Sequence, residues 1–224
     1  MKCDFHCHTY YSFDGTASPQ QVVNKAIQKG IDCLAITDHN EIRGAMEAIE
    51  YAKGKPILII PGIEVKSKDG DILGINVKEK IPSGLSVKET IKRIKEQGGF
   101  VIIPHPFALI ERFRGNLKEI ITQIDAIEIF NCSIFGNGNK KAMQFAKENS
   151  LPFCAGSDSH SIDFIGKCYF EVQGENSNIE EIFEKIRKRE IKIKGTEANF
   201  FEKLLDRYKR TIAKINHYVG RKKR

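Results

Sequence analysis

Four apolar segments of strand length end in histidine or acidic residues, and this pattern most restricts the fold of the chain. The segments read CDFHCH, LAITDH, VIIPHP and FCAGSDSH, and they hold five of the six histidines. Short apolar runs of this kind indicate buried strands. In parallel α/β architectures, active sites assemble at the C-terminal ends of the strands. The pattern therefore predicts several strands that present polar side chains at one common end.

Strand-length runs alternate with helical patterns along nearly the whole chain. We predict strands at residues 2–8, 32–38, 57–65, 100–105, 124–130, 152–157 and 167–173, with a hairpin partner at 71–77. The predicted helices occupy residues 19–29, 41–53, 86–97, 138–149, 179–188 and 197–219. This alternation indicates an α/β fold in which helices cover a parallel sheet.

Two arrangements of such a sheet compete, an open doubly wound sheet and a closed barrel. About seven strands are predicted, and no glycine-rich phosphate loop follows the first one, which favours the barrel. At 224 residues, the chain is most simply one domain with a sizeable core. We assign the barrel to residues 1–195. Residues 196–224 are expected to form a basic amphipathic helix and tail that pack on it.

The composition is that of a globular protein, with 41% hydrophobic and 29% charged residues. We expect no membrane-spanning helix, because no apolar run reaches about 18 residues. The first residues, MKCDFHCH, lack the apolar core of a secretion signal, and the six cysteines show no CxxC pairing. We therefore expect a cytoplasmic protein with reduced cysteines in its core, and disulfides are the weaker alternative.

Positive charge is concentrated at the C-terminal end of the chain. Residues 203–224 hold nine lysines or arginines and one aspartate, which is +8, so residues 1–202 carry −1 of the net +7. The terminal helix also has an apolar stripe at helical spacing, formed by Phe201, Leu204, Leu205, Tyr208, Ile212, Ile215 and Val219. We expect this stripe to pack on the barrel or on a second subunit, and the oligomeric state stays open.

Alternation along the first strand predicts where its side chains point. It directs Asp4, His6 and His8 to one face, and Cys3, Phe5 and Cys7 to the other, towards covering helices. Asp158 and His160 share a face in the same way. Carboxylates occupy matching places on other strands or just beyond them, at Asp14, Asp38, Glu64, Glu128 and Asp158.

These histidines and carboxylates predict a metal centre. A single buried histidine is more often a hydrogen-bonded core residue, but five at equivalent strand ends favour metal binding. Mixed imidazole and carboxylate ligands suit Zn²⁺, Mn²⁺ or Fe²⁺ better than Mg²⁺ or Ca²⁺. His217, on the basic terminal helix, is expected to be a solvated or packing residue.

On these motifs, the chain resembles the PHP family, named for polymerase and histidinol phosphatase. The matching stretches are DFHCHTYYSFDG, LAITDHNEIRG, PGIEV, ILG, VIIPHP, IEIFN and AGSDSH, in the family's order over residues 2–165. The resemblance implies a distorted (β/α)7 TIM-like barrel that hydrolyses phosphate esters. It also implies two or three divalent transition metal ions (zinc, manganese or iron) at the C-terminal ends of the strands.

The resemblance further implies which residues hold each ion. One ion has four implied ligands, His6, His8, Glu64 and Asp158. A second ion has three, Asp14, His39 and His160, and some relatives have histidine where this chain has Asp14. A third ion is implied between Glu64 and His105.

The sequence departs from three-metal relatives at two positions. Those relatives have a further histidine after the IEIFN strand, where this chain has CSIFGNGNK and leaves Glu128, Asn131 or water as substitutes. Many relatives also have histidine at the position of Asp71, which we do not expect to bind a metal directly. Asp38 is expected to orient a ligand or a water.

The expected reaction is hydrolysis of a phosphomonoester by a metal-activated hydroxide. The substrate is expected to be a small phosphorylated metabolite or a nucleotide. Asp158 and His160 are candidates for handling the proton, and Arg43 is a candidate for binding the phosphate. Arg112 and Arg114 are further phosphate-binding candidates, and a solvated loop arginine is the equally weighted alternative for all three.

Two other functions stay open. A nuclease or phosphodiesterase would use the basic tail against a polynucleotide, although the near-neutral body does not favour nucleic acid as a partner. A non-catalytic RNA-binding barrel is the second alternative. It is disfavoured because keeping the ligand set buried costs stability when no cation is bound. No membrane partner is expected.

Overall fold

The computed structural model describes residues 1–174 and 178–222. The strands of this part of the chain are β1 (Lys2–Cys7), β2 (Cys33–Ile36), β3 (Leu58–Lys66), β4 (Asp71–Ile75), β5 (Phe100–Ile103), β6 (Ala126–Asn131), β7 (Phe153–Gly156), β8 (Cys168–Val172) and β9 (Ile191–Gly195). Its helices are α1 (Pro19–Gln28), α2 (Arg43–Ala52), α3 (Val87–Glu96), α4 (Gly138–Glu148), α5 (Ile179–Arg187) and α6 (Phe200–Lys222). A short 3-10 helix covers Leu117–Glu119.

The first seven strands curve into a nearly closed barrel. Strands β1, β2 and β3 are parallel neighbours, as are β5, β6 and β7, while β4 runs antiparallel between β3 and β5. The barrel approaches closure because the chain after β7 returns beside β1. There the amide of Asp158 donates to the carbonyl of His6, and the amide of His8 donates to the carbonyl of Ser159, each at 2.8 Å. The predicted TIM-like barrel is confirmed, with one strand reversed.

Strands β8 and β9 extend the sheet beyond β1 as antiparallel neighbours. The sequence predicts β8 but not β9. Strand β9 has only five residues, IKIKG, and it follows α5 after a run of charged residues that reads as a continuing helix. A segment this short carries too little periodicity to separate strand from helix.

Strand β1 contains an irregularity that corrects one prediction. Its register against β2 shifts between Asp4 and Cys7, so strict alternation is lost. Cys3 and Phe5 pack with residues of the opposite barrel wall such as Phe100, whereas Cys7 packs in a separate cluster with the residues of α1. The prediction that Cys3, Phe5 and Cys7 share one face was wrong. Bulges of this kind re-aim side chains near active sites, and here His6 and His8 both reach the barrel mouth.

Helix α6 contacts the rest of the chain through its charged side chains. Lys203 donates to the carbonyl of Ile134 at 2.5 Å, and Lys209 donates to Asp163 at 2.6 Å. The predicted apolar stripe is not buried on the barrel, since Phe201 is 78% and Tyr208 is 64% exposed. All six cysteines are buried. No helix in the described part of the chain is long and apolar enough to span a bilayer.

Candidate metal centre

The structure brings the eight predicted metal ligands to one end of the barrel. They follow or end strands β1, β2, β3, β5 and β7, and none of their side chains is more than 9% exposed. Seven of them form three overlapping groups whose ligand atoms lie within 4.8 Å of one another, namely His6–His8–Asp158, His8–His39–His160 and His6–Glu64–His105. The eighth, Asp14, lies 3.4 Å from His160. Eight side chains from five separate strands therefore share one small volume.

The four ligands of the first implied ion have nearly equal spacing. Nε2 of His6 lies 3.4 Å from Glu64 Oε2 and 3.5 Å from Asp158 Oδ1. Nε2 of His8 lies 3.3 and 3.4 Å from the same two oxygens. Tetrahedral ligands about 2.0–2.1 Å from an ion are about 3.4 Å from one another. These four distances are thus those expected between neighbouring ligands of one metal ion.

The second implied ion has three ligand atoms at similar spacing. Asp14 Oδ1 lies 3.6 Å from His39 Nε2 and 3.4 Å from His160 Nε2, and the two imidazole nitrogens are 3.5 Å apart. Three protein ligands are typical of catalytic zinc sites, in which a water or the substrate takes the fourth position. The departure from histidine at Asp14 is therefore compatible with ligation.

Glu64 lies between the ligands of the first implied ion and His105, the ligand of the third implied ion. Its Oε2 atom faces His6 and His8, while its Oε1 atom lies 3.4 Å from His105 Nε2. Asp71 instead pairs with Lys66 at 3.1 Å. The structure thus places two carboxylate oxygens of one residue towards separate groups, as a bridging ligand requires.

Glu128 and Asn131 contact the predicted ligands at atoms other than those that face the cluster. Glu128 Oε1 lies 3.1 Å from His6 Nδ1, and Oε2 accepts from the amide of His105 at 2.9 Å. The Asn131 amide donates to Glu128 at 3.0 Å and to Asp158 at 3.3 Å. In these contacts the two residues orient ligands, which is the role that partners of metal-bound histidines usually have.

The ligand atoms fit a bound cation. Within the described residues, buried atoms without a hydrogen-bond partner include Nε2 of His6 and of His8, Oδ1 of Asp14, and both carboxylate oxygens of Glu64. Buried polar atoms are almost always paired, because an unmet donor or acceptor costs about 1–3 kcal/mol. These unpaired atoms all point into the same cluster, where divalent ions would satisfy them.

The acids and imidazoles shift one another's pKa values. Burial opposes ionisation of Glu64, but His39 and His6 outweigh it and lower the pKa of this carboxyl well below its usual range. Burial favours neutral His8, yet the nearby carboxylates of Asp158 and Glu64 raise its pKa to about 9. At His160, burial and then Arg210 lower the pKa to about 4. His160 is therefore neutral near pH 7, the form in which imidazole binds metals.

A short network behind the cluster orients His8 and His39. Asp38 accepts hydrogen bonds from the Thr9 amide at 2.6 Å and from the Ser12 hydroxyl at 2.9 Å. Ser12 Oγ in turn lies 3.0 Å from His8 Nδ1 and accepts from the amide of His39 at 2.9 Å. Asp38 therefore acts on the ligands through Ser12, in the orienting position that the sequence suggested.

Two ligands lie on strained backbone. Asp158 has φ 51° and His105 has φ 29°, in the left-handed region that non-glycine residues rarely adopt. Such strain persists where the surrounding structure enforces it, and it clusters at functional sites. Both residues sit at the strand ends from which their side chains enter the cluster.

Positive charge reaches the cluster from α6, which the sequence analysis did not predict. Arg210 donates to Asp14 Oδ2 at 3.0 and 3.3 Å, and Lys214 Nζ lies 3.5 Å from the same oxygen. A signal was present in the sequence. The cationic side chains at Lys203, Arg207, Arg210 and Lys214 recur every three or four residues, which places them on one helical face.

The arginines predicted to bind phosphate lie elsewhere. The Arg43 side chain is 69% exposed, pairs with Glu41 at 2.8 Å and lies over the ring of Tyr11. Arg112 and Arg114 are exposed. Among the described residues, Arg210 and Lys214 are the cations that form ion pairs with a predicted metal ligand.

A cavity of about 110 Å³ joins the cluster to α6. Its walls include His105 and Asp158 on the barrel side, and Lys203, Arg210 and Lys214 on the helix side. Ligands for cations thus face cationic side chains across a space that holds a few atoms. An anion placed there would contact both, so the fold and site fit a metal-dependent hydrolase.

Comparison with known proteins identifies the family. The sequence profile of the PHP domain matches residues 4–122, and that of the PHP-associated region matches residues 136–191. The chain belongs to the PHP family of metal-dependent phosphoesterases.

Individual relatives agree with this placement. The uncharacterized protein MJ1587 of Methanocaldococcus jannaschii is 39% identical over 141 residues, which span 58% of this chain and 82% of that protein. A 5′-3′ exoribonuclease of Haemophilus influenzae is 34% identical over 100 residues, or 43% of this chain and 36% of that enzyme. A two-domain Bacteroides vulgatus protein, containing a predicted PHP-like metal-dependent phosphoesterase, has the same fold. Its TM-score is 0.76 at 20% identity, over 94% of this chain and 69% of that one.

Proposed function

We propose that this phosphoesterase hydrolyses a terminal phosphate monoester of a small metabolite or nucleotide. The observation that carries the proposal is the cavity of about 110 Å³ between the ligand cluster and the cationic face of α6. A terminal phosphoryl group fits such a space. An internal diester has substituents on both sides of the phosphorus, and α6 lies over one side of the cluster through its bonds to Asp14.

We infer the ligands of each ion from the distances between their atoms. His6, His8, Glu64 and Asp158 would hold one ion, and Asp14, His39 and His160 would hold a second. When bound, such ions lower the pKa of a water and neutralise charge on the phosphoryl oxygens. Glu64 and His105 offer a third position, and zinc, manganese and iron all suit these ligands.

The protein's own groups bind the phosphate and direct the proton. Arg210 has five N–H donors, and its bonds to Asp14 leave others for the phosphoryl oxygens. Lys203 and Lys214 add charge along the same wall of the cavity. Asp158 would bind an ion through Oδ1, which faces His6 and His8, and keep Oδ2 as the atom that accepts the proton of the attacking water.

One observation favours a second candidate function, hydrolysis of a nucleic acid. The four cations on one face of α6 would suit a backbone with several phosphates. The Haemophilus influenzae relative that shares 34% identity is an exoribonuclease by name. The near-neutral charge of residues 1–202 argues against an extended nucleic-acid surface on the barrel itself.

Substrate preference tests the two functions directly. Purified protein would be loaded in turn with zinc, manganese and iron, and its metal content measured. It would then be assayed with p-nitrophenyl phosphate, bis-p-nitrophenyl phosphate, nucleoside monophosphates and a short 5′-phosphorylated RNA. Turnover of monoesters with little diester cleavage is the expected result. Efficient release of nucleotides from the RNA, with slow monoester turnover, would replace the proposal with the nuclease.

A further inference from the structure

The outward face of α6 is apolar and uncovered. Exposed fractions along it range from 41% at Ile212 to 78% at Phe201. The exposed apolar side chains are Phe200, Phe201, Leu204, Leu205, Tyr208, Ile212, Ile215, Tyr218 and Val219. Together they present on the order of 1,000 Å² of surface, more than the largest apolar patch of a typical monomer. A face of this size requires a partner.

The spacing along this face is that of a helix–helix seam. Phe201, Leu205, Tyr208, Ile212, Ile215 and Val219 are separated by alternating steps of four and three residues. Such steps are the a and d positions of heptads, where side chains of one helix insert between those of a facing helix. The 23 residues of α6 extend about 35 Å, long enough for several such layers. The partner surface is therefore another α-helix.

The distribution of charge favours a second copy over a lipid surface. Three cations of α6 lie on its opposite side, where Lys203 is 7% exposed and Arg210 and Lys214 pair with Asp14, whereas Arg207 is exposed. A helix that binds anionic lipid keeps its basic residues free beside the apolar face. Here the polar residues that flank the seam are Glu202, Lys209, Thr211 and Asn216. Glu202 pairs with Lys167 and Lys209 with Asp163, so two copies meet with little like-charge repulsion.

We propose that the protein forms a two-fold symmetric dimer in which the α6 helices of two copies pack antiparallel. A two-fold axis near Arg210 places Phe201 opposite the partner's Val219, and Leu205 opposite the partner's Ile215. Tyr208 then meets the partner's Ile212, so each aromatic residue of the seam faces a smaller aliphatic one. The seam is self-complementary, as a two-fold interface must be. Its area also matches the roughly 800 Å² per subunit of a stable interface.

Molecular mass in solution tests the dimer. Light scattering and sedimentation across a wide concentration range should give twice the 25.4 kDa chain mass. The double variant Leu205→Glu/Ile212→Glu places two charges in the seam, and we expect it to be a single chain at the same concentrations. The matched control is Met46→Glu, which charges a 51% exposed apolar residue on α2 and should stay dimeric. Circular dichroism and metal content verify that each variant is folded.

Three outcomes would overturn the proposal. The first is a wild-type protein of single-chain mass at every concentration, and the second is a Leu205→Glu/Ile212→Glu double variant that remains dimeric. The third is monomeric protein that instead floats with phosphatidylcholine–phosphatidylglycerol vesicles through α6. The relative direction of the two α6 helices is tested separately, by mixing Leu205→Cys chains with Ile215→Cys chains and looking for a disulfide between them. The antiparallel dimer gives this mixed product, whereas a parallel pair joins two Leu205→Cys chains.

Discussion

Individual residues at the metal centre have two roles because each of their polar atoms faces a different neighbour. Oδ1 of Asp14 points to His39 and His160, while its Oδ2 accepts the bonds from Arg210. A histidine at this position would have no second carboxylate oxygen for the arginine. Aspartate therefore links metal binding to the attachment of α6.

Removal of one ligand tests the centre at this scale. His8→Ala deletes a nitrogen that faces both Glu64 and Asp158, so we expect loss of bound metal and at least a roughly thousandfold loss of phosphatase turnover. Metal analysis and kcat on p-nitrophenyl phosphate measure both. The control His217→Ala removes the histidine on α6 and should retain full metal content. Wild-type turnover in the His8→Ala variant would refute the ligand assignment.

Two arginines are candidates for binding the phosphate. The structure favours Arg210, whereas the sequence favoured Arg43. Arg210→Ala removes the guanidinium that touches Asp14 and lines the cavity, and we expect kcat/KM to fall about 10- to 100-fold. Arg43→Ala removes an exposed side chain paired with Glu41, and we expect a change below about twofold. Steady-state kinetics on one monoester compare the two. A larger loss of kcat/KM in Arg43→Ala than in Arg210→Ala would mean that the phosphate binds near the start of α2.

At the scale of elements, periodicity predicted most of the fold because the strands are short apolar runs and the helices α1, α3 and α5 begin at a side-chain cap. Ser18 caps α1 through a reciprocal pair with Gln21. The β1 bulge and β9 were missed because neither changes the local pattern enough to be seen without its partner strand. The contact of α6 with the metal centre was missed because the positive charge of this helix was counted along the chain. The prediction did not consider that several of its cations share one helical face.

The start of α2 offers a test of how an element positions the site. A Cβ at Gly44 would lie 2.0 Å from Asp38 Oδ2 and 2.5 Å from Thr9 Oγ1, so Gly44→Ala must displace the network that orients His8. We expect a loss of at least about 2 kcal/mol in unfolding free energy and weaker metal binding. Urea denaturation and metal titration measure these changes. Met46→Ala, at an exposed position of the same helix, should leave the unfolding free energy within about 0.5 kcal/mol of wild type and metal binding unchanged.

For the whole molecule, the centre exists only when the barrel is assembled. The ligands come from positions as far apart as His6 and His160, and the chain after β7 must lie beside β1 before their atoms converge. The sequence could predict which side chains gather here, since most of them lie at or just beyond the end of a recognisable strand. It could not predict their spacing, which depends on the closure of the sheet and on the bulge in β1.

Metal removal should therefore weaken the whole fold and not the site alone. Without a cation, the buried atoms of Glu64, His6 and His8 stay unpaired and the carboxylates repel one another. An ion present at about 1,000 times its dissociation constant adds about 4 kcal/mol of stability. We expect a chelator to lower the Tm by several degrees, and re-addition of zinc or manganese to restore it. The His217→Ala control should respond like wild type, whereas the His8→Ala variant should show little response to either treatment. An equal Tm for the loaded and chelated wild-type protein would mean that the ligand cluster is satisfied without metal.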